Sequence, residues 1–343
     1  MSAEIKNTGI IYNEKEIKEV TLSSGDIKAT VLSFGAIIKD LYFGDNDTVL
    51  GYPSAESYVK NTSHQGAMVG RYVGRIKYGK FTLNGTEYQL SLNSGGKHHS
   101  HGGFNAFNRQ VWDVVAVDND APSVTFVYRA ADGEEGYPGN IDCTVTYSIK
   151  NGNTLAIEYT GLSDKDTPFN PTNHAYFNLN LDKSKDVSET LLQIPAEKVC
   201  DTDEDQVSNG EYIEVAGTPL DFTSPKAIGK DIDADYEPIK IATGHDHTYV
   251  LGEDRSWKFA AKAHCPESGI TMTCYTDMPI VTFYSANYLN EKDGKGGINN
   301  FRRQGFCLET SFIPNSVNIP SFPNSILKAG EKFYSRTEYS FKK

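Results

Sequence analysis

The segment IDCTVTYSIKNGNTLAIEYTGL, residues 141–162, decides the fold class. From Ile141 to Lys150, apolar or aromatic side chains alternate with polar ones, and a second strand-like run fills residues 154–162. A period of two residues is typical of a strand that buries one face. Because the turn residues Asn151-Gly152-Asn153 separate the two runs, the segment predicts a β-hairpin.

Similar alternating or β-branched runs occur on both sides of this hairpin. They cover residues 28–34, 37–43, 111–117, 123–129, 269–275, 280–285 and 333–341. Asn84-Gly85 lies between two short runs and predicts another hairpin, whereas helical periodicity is scarce and is clearest in residues 53–60. Many short strands with regular turns predict an all-β sandwich or barrel. No repeat or linker interrupts the pattern, and 201–236 is interpreted as a loop-rich excursion, so we expect residues 1–343 to form a single domain.

The charge balance restricts the ligand. The chain has 343 residues and a net charge of −12, which disfavours nucleic acid and anionic membranes because phosphate binding needs clustered Lys and Arg. A neutral small molecule fits better. The 20 Tyr and 17 Phe residues suit a β core and would also supply faces on which a sugar ring stacks.

Targeting and redox signals are few. The sequence starts without a basic segment followed by an apolar stretch, and it has no run of about eighteen apolar residues. We therefore expect a soluble cytoplasmic protein. The five cysteines show no Cys-x-x-Cys spacing, which predicts reduced, mostly buried thiols and no structural zinc.

The segment NPTNHAYFNL, residues 170–179, is the first candidate for chemistry. At period two, His174, Tyr176 and Asn178 share one face, and the apolar residues between them form a core face. Histidine exchanges protons near neutral pH, so this face suits acid-base work on a hydroxylated ligand. The alternative is a hydrogen-bonded structural histidine.

The segment GFCLET, residues 305–310, offers a complementary group. Phe306 and Leu308 face one way, whereas Cys307 and Glu309 face the other. A carboxylate beside so apolar a run is costly unless it is solvated in a cleft or paired. The alternative is a solvated glutamate at a strand end.

Four other segments carry polar or titratable groups among glycines. They are 69–76 with Arg71 and Arg75, 98–103 with three histidines, the acidic turn 132–139, and 244–247 with Asp246 between two histidines. The arginines could be surface residues of a loop, and the acidic turn is interpreted as architectural. The histidines lack the stereotyped spacing of zinc ligands, so we expect no functional metal. No phosphate-binding loop or dinucleotide fingerprint occurs, so no nucleotide cofactor is implied.

Taken in order, several of these segments resemble those of the aldose 1-epimerases, the galactose mutarotases. The matching stretches are 74–76, 101–103, 132–139, 170–179, the Asp246 segment, 276–279 with 283–284, 305–310 with 314–315, 322–327 and 329–331. Each is short, but their joint order covers the chain nearly end to end.

The resemblance implies a single large antiparallel β-sandwich with an open sugar-binding cleft, no cofactor and no metal. It implies interconversion of the α and β anomers of free aldohexoses such as galactose and glucose, by a monomer or homodimer. Position by position, Glu309 matches the general base and His174 the general acid. The substrate-binding positions that it implies are Arg75, His101, Asp246, Asn93 and Tyr176. Ser100 and His245 depart from the residues common in the family, which leaves the preferred sugar open.

Three alternatives are considered. A glycosidase could use Asp246 and Glu309 as its carboxylate pair but would leave His174 without a role. A non-catalytic sugar-binding protein would not need both His174 and Glu309. A hexose 6-phosphate mutarotase should present additional basic residues, which this acidic chain supports only weakly.

Overall fold

The computed structural model describes residues 1–61 and 63–343, and this part of the chain is nearly all β-structure. In chain order the strands are β1 (Ser2–Tyr12), β2 (Lys15–Ser24), β3 (Ile27–Leu32), β4 (Ile37–Phe43), β5 (Asn46–Asp47), β6 (Met68–Val69), β7 (Arg75–Ile76), β8 (Lys80–Leu83), β9 (Thr86–Gln89), β10 (His99–Ser100), β11 (Asp113–Asp118), β12 (Ser123–Ala130), β13 (Ile141–Lys150), β14 (Thr154–Ser163), β15 (Thr167–Pro168), β16 (Thr172–Asn173), β17 (Leu191–Gln193), β18 (Lys198–Thr202), β19 (Ser208–Glu214), β20 (Lys226–Ala227), β21 (Asp246–Val250), β22 (Lys258–His264), β23 (Thr271–Thr276), β24 (Ile280–Tyr284), β25 (Cys307–Ser311), β26 (Ile326–Leu327) and β27 (Lys332–Lys342). The helices are α1 (Ala55–Lys60) and α2 (Glu237–Ala242), with 3₁₀ turns at Lys77–Gly79, Phe107–Arg109, Glu134–Gly136, Lys295–Gly297 and Ser316–Asn318.

The hairpin predicted from residues 141–162 is confirmed. Strands β13 and β14 pair antiparallel from Ile141 opposite Ser163 to Lys150 opposite Thr154. Along β13 every second side chain from Ile141 to Ile149 is buried, as the alternation predicts. In the turn, Asn151 and Gly152 have φ of 54° and 70°, a left-handed conformation that Asn and Gly accept most readily.

Three larger sheets are built by antiparallel pairing. Two have five strands, in the orders β1-β2-β3-β4-β5 and β19-β18-β21-β24-β25, and the third has nine, in the order β11-β12-β13-β14-β27-β23-β22-β17-β20. One hydrophobic core takes side chains from all three, including Val20 of β2, Val145 of β13 and Leu308 of β25. The all-β, antiparallel fold class is therefore confirmed.

The two other local predictions are confirmed as well. Asn84 and Gly85 form a two-residue turn between β8 and β9, with φ of 51° and 79°. Helix α1 begins at Ala55, where the hydroxyl of Ser54 accepts a hydrogen bond from the backbone N–H of Ser57.

The continuous strand predicted over 170–179 is wrong. Only Thr172 and Asn173 form a strand, and residues on both of its proposed faces are buried. The reason is that the backbone changes partners: His174 donates to Ala67 O, Phe177 to Phe306 O and Asn178 to Thr48 O. A segment that bonds to several distant regions in turn cannot keep the geometry of one continuous ladder.

Two further expectations concern thiols and membranes. All five cysteines are free and buried, which confirms the expected thiol state. Among residues 1–61 and 63–343, none of the helices has the length and apolarity that crossing a membrane requires.

Candidate active site

A cavity of about 220 Å³ opens where the sheet of β21, β24 and β25 meets the loops around Arg75, His101 and His174. Pockets that hold drug-sized ligands measure about 300–1,000 Å³, so this volume suits a smaller molecule. Its lining is mainly polar and aromatic, a surface typical of sites that bind hydroxylated rings.

Glu309 and His174 face each other in this cavity. Oε1 of Glu309 lies 3.6 Å from Nε2 of His174, and the two residues are only 4% and 5% exposed. Glu309 reaches this position from β25, whose neighbouring side chain Leu308 enters the main core. The solvated glutamate considered above is therefore wrong, because Glu309 is buried against a titratable partner.

Two rings stack on the imidazole of His174. Tyr176 stacks on it at a centroid distance of 5.0 Å and an interplanar angle of 20°, and His64 at 5.9 Å and 26°. On the ring's other edge, Sγ of Cys307 lies 3.4 Å from Nδ1. These contacts leave Nε2 directed toward Glu309 and fix the ring's orientation.

Burial acts on the pKa values of the pair in opposite directions. It raises the pKa of Glu309 well above its ordinary value, with the nearby Asp246 charge adding to the rise. It lowers the pKa of His174 to about 3, with His64 contributing to the fall. A carboxylate of raised pKa is a stronger base, and an imidazolium of lowered pKa is a stronger acid.

Arg75 and Asp246 line the same cavity. Asp246 is the first residue of β21, and burial raises its pKa, an effect that the Arg75 charge and a hydrogen bond from Gln206 oppose. Nη2 of Arg75 donates to Oε1 of Gln206 at 3.2 Å. The two charged groups can donate to and accept from ligand hydroxyls.

His101 completes the ring cluster. Its centroid is 5.5 Å from that of His174, and its Nδ1 accepts a hydrogen bond from the backbone N–H of Gly74 at 3.4 Å. Burial lowers the pKa of His101 well below its usual range, so the ring is neutral near pH 7. The next residue, Gly102, has φ of 88°, and a Cβ there would lie 1.9 Å from Gly70 O, so only glycine fits behind His101.

Two residues expected in the cleft lie outside it. Asn93 does not line the cavity; its amide exchanges two hydrogen bonds with the backbone of Ser100, at 2.7 and 2.8 Å, and so braces the strand before His101. Asn178 was expected beside His174 and Tyr176, but its amide donates to Lys185 O and Gln304 O. The changing backbone partners of 170–179 turn it away.

The other histidines singled out in the sequence do not line the cavity. Those before His101 make local contacts: the Tyr78 N–H donates to Nδ1 of His98 at 3.0 Å, and Nε2 of His99 is 2.8 Å from the Tyr137 hydroxyl. Those flanking Asp246 are buried, since β-strand alternation turns them away from it. Within residues 1–61 and 63–343, no group of three or more His, Cys, Asp or Glu side chains is arranged to hold a metal ion.

Sequence reasoning missed several residues of the cavity. His64 and Gln206 come from irregular segments in which no periodicity marks them. Thr248 and Thr282 pair through their hydroxyls at 3.0 Å, and strand alternation from Asp246 and within β24 could have found both. Tyr288, which is 58% exposed, lies at the cavity mouth.

Fold and site together define a β-sheet protein with a buried acid-base pair in a small polar cleft. The family described as "Aldose 1-epimerase" matches residues 18–340. The chain is 34% identical to galactose mutarotase of Bos taurus over 331 residues, 95% of this chain and 94% of that protein. It is 36% identical to aldose 1-epimerase of Escherichia coli K12 over 298 residues, 86% and 85% of the two chains.

Solved structures agree with these matches. The structure of galactose 1-epimerase from Lactobacillus acidophilus has a TM-score of 0.88 to this chain at 28% identity, covering 99% of this chain and 98% of the other. An aldose epimerase homologue from C. elegans has a TM-score of 0.86 at 29% identity, covering 94% and 99%. The chain belongs to the aldose 1-epimerase family, and is an isomerase of that class.

Proposed function

We propose that this protein interconverts the α and β anomers of free aldohexoses, with galactose and glucose as its substrates. The observation that carries the proposal is the Glu309–His174 pair, buried at 3.6 Å in a cavity of about 220 Å³. Anomer exchange needs one group that accepts a proton from the C1 hydroxyl and one that donates a proton to the ring oxygen. The names of the relatives, galactose mutarotase and aldose 1-epimerase, support this choice of substrate.

Glu309 is the proposed base and His174 the proposed acid. The reaction starts from the form of the pair in which the single proton lies on His174 and Glu309 is ionised; the carboxylate takes the C1 hydroxyl proton while His174 gives its Nε2 proton to the ring oxygen. The C1–O5 bond breaks and leaves an open-chain aldehyde. After rotation about C1–C2, the O5 hydroxyl attacks the other face of the carbonyl, Glu309 returns its proton to the carbonyl oxygen, and His174 recovers its own.

Arg75, His101 and Asp246 are proposed to hold the sugar. Arg75 donates to hydroxyl oxygens, Asp246 accepts from hydroxyls, and neutral His101 can donate through the ring nitrogen that does not accept from Gly74. Tyr176 is proposed to bound the ring and to keep His174 oriented by stacking. Asn93 is proposed to act indirectly, since it braces Ser100 next to His101.

The working unit is proposed to be one domain spanning the chain. A core that takes side chains from all three large sheets supports this. The protein is proposed to work as a monomer or a homodimer, with the cavity of each chain as its site. Arg75 is the only arginine or lysine among the described residues that line the cavity, so a sugar phosphate is not favoured as the substrate.

Polarimetry tests the proposal. Freshly dissolved α-galactose or α-glucose should reach its equilibrium rotation faster with the wild-type protein than in buffer alone. Glu309→Gln should lower kcat at least about 100-fold, because the amide is nearly isosteric but does not accept the C1 proton near pH 7. Glu331→Gln, the same change at an exposed position, is the matched control and should leave the rate unaltered. A Glu309→Gln protein that retains more than about a tenth of the wild-type rate would exclude Glu309 as the base.

A further inference from the structure

The side chain of Gln206 contacts two charged residues that line the cavity, Arg75 and Asp246. Its Oε1 accepts from Nη2 of Arg75 at 3.2 Å, and its Nε2 donates to Oδ2 of Asp246 at 3.4 Å. The backbone carbonyl of Gln206 also accepts from Nη1 of Arg75, at 3.5 Å. One amide therefore joins the guanidinium and the carboxylate that are proposed to hold the sugar.

A direct ion pair between Arg75 and Asp246 would be energetically favourable. They carry opposite charges and line the same small cavity, and the Arg75 charge opposes the rise that burial causes in the pKa of Asp246. Attraction between charges grows as the local dielectric falls, and guanidinium and carboxylate readily form two parallel hydrogen bonds. Yet no ion pair joins these two side chains in the described structure, where the Gln206 amide lies between them.

Backbone hydrogen bonds and one ion pair hold the turn that carries Gln206. The backbone N–H of Gln206 donates to Asp203 O at 2.9 Å, and Oδ1 of Asp203 accepts from Val207 N–H at 3.0 Å. Nζ of Lys77 pairs with Oδ2 of Asp203 at 2.9 Å and ties the turn to the segment that follows Arg75. The amide is thus presented at a fixed place rather than on a free loop.

We propose that Gln206 is a positioning residue that keeps Arg75 and Asp246 at the separation needed to bind two hydroxyls of one sugar. Without the amide, the guanidinium and the carboxylate would bind each other and would no longer be available to the ligand. Gln206 therefore controls the affinity for the sugar, while ring opening is left to Glu309 and His174. The inference rests on the proposed function, and it adds a determinant of substrate binding to the same site.

Gln206→Met tests this inference, because methionine has similar length but no amide. Sugar affinity is measured by calorimetry with galactose and glucose, and kcat and KM by polarimetry. The expected result is a rise of about tenfold in Kd and KM with kcat unchanged within about twofold. The matched control is Glu204→Gln, which changes an exposed side chain of the same turn and should leave all three constants unaltered.

Combining the variant with Asp246→Asn shows whether Gln206 acts through the charged pair. In the Asp246→Asn background there is no carboxylate for Arg75 to bind, so adding Gln206→Met should change Kd by less than about twofold. An unchanged Kd in Gln206→Met, a kcat that falls as much as the affinity, or fully additive effects in the double variant would each overturn the inference. The proposed function and this inference can fail separately. If the wild-type protein binds galactose without changing its optical rotation, and Gln206→Met binds it more weakly, the proposed function is overturned and the role of Gln206 in sugar binding is supported.

Discussion

At the scale of single residues, the proposed chemistry depends on one proton that Glu309 and His174 share. Burial lowers the pKa of His174 to about 3 and raises that of Glu309, so the pair holds one proton over the range between the two values. Because the pKa of Glu309 is the higher of the two, the single proton lies mostly on Glu309, and the proposed ring opening starts from the less populated form in which it lies on His174. Below this range His174 takes up a second proton, and above it Glu309 loses the last one. Each change removes one of the two groups that ring opening needs.

The pH profile of kcat/KM is therefore expected to be bell-shaped, with the acidic limb set by uptake of the second proton and the alkaline limb by loss of the last one. In His174→Asn, kcat should fall at least about 100-fold. The residual rate should rise with pH to a plateau without an alkaline decline, because only Glu309 must then be ionised. Polarimetry over a series of buffers measures both. An unaltered bell-shaped pH profile in His174→Asn would show that another residue is the acid.

Sugar binding should respond differently to this substitution. The residues proposed to hold the hydroxyls, Arg75, His101 and Asp246, are unchanged in His174→Asn, so the Kd from calorimetry should change far less than kcat. A loss of affinity as large as the loss of turnover would indicate a structural histidine instead.

At the scale of secondary-structure elements, a buried arginine fixes the segment that leads to Arg75. Arg71 is 2% exposed, and its guanidinium donates to Pro138 O and Gly139 O, both at 2.9 Å. The interpretation of Arg71 as a surface residue is therefore wrong. The same contacts give the acidic turn 132–139 an architectural role, because its last carbonyls are satisfied by a side chain from the cavity-forming segment.

Arg71→Met should destabilise the protein by about 3 kcal/mol, since it leaves buried carbonyls without donors. Urea unfolding measures the change in the free energy of unfolding. Arg129→Met is the control: Arg129 is exposed and pairs with Asp142 on the surface, so its loss should cost less than about 0.5 kcal/mol. Equal stability of the two variants would contradict the role assigned to Arg71.

At the scale of the whole molecule, the net charge of −12 distinguishes neutral from phosphorylated substrates. The protein's field does not attract or repel an uncharged sugar, so kcat/KM for galactose should change by less than about twofold between about 0.01 and 1 M salt, where the Debye length falls from about 30 to 3 Å. A hexose 6-phosphate would be repelled, and its kcat/KM should rise with salt. Polarimetry on glucose and glucose 6-phosphate makes the comparison, and a higher kcat/KM for the phosphate would contradict the proposed substrate class.

The sequence by itself determined the strands with a clear period and the turns between them. Alternation in residues 141–150 predicted which side chains are buried, and Asn84-Gly85 predicted a turn, because both signals depend on neighbouring residues. The order of short motifs indicated the family and, with it, Glu309, His174 and four further residues that line one cavity, although Asn93, which it also implied, lies outside.

Only the tertiary structure decided how those residues meet. The period of a strand states which face a side chain takes but not which distant segment lies opposite, so neither the 3.6 Å contact of His174 with Glu309 nor the true course of 170–179 could be predicted locally. His64 and Gln206 carry no periodic signal at all, and a long-range hydrogen bond to Arg75 and the ion pair of Lys77 with Asp203 hold the turn of Gln206 against the cavity. Faces and turns follow from local sequence, whereas the site follows from packing between segments far apart in the chain.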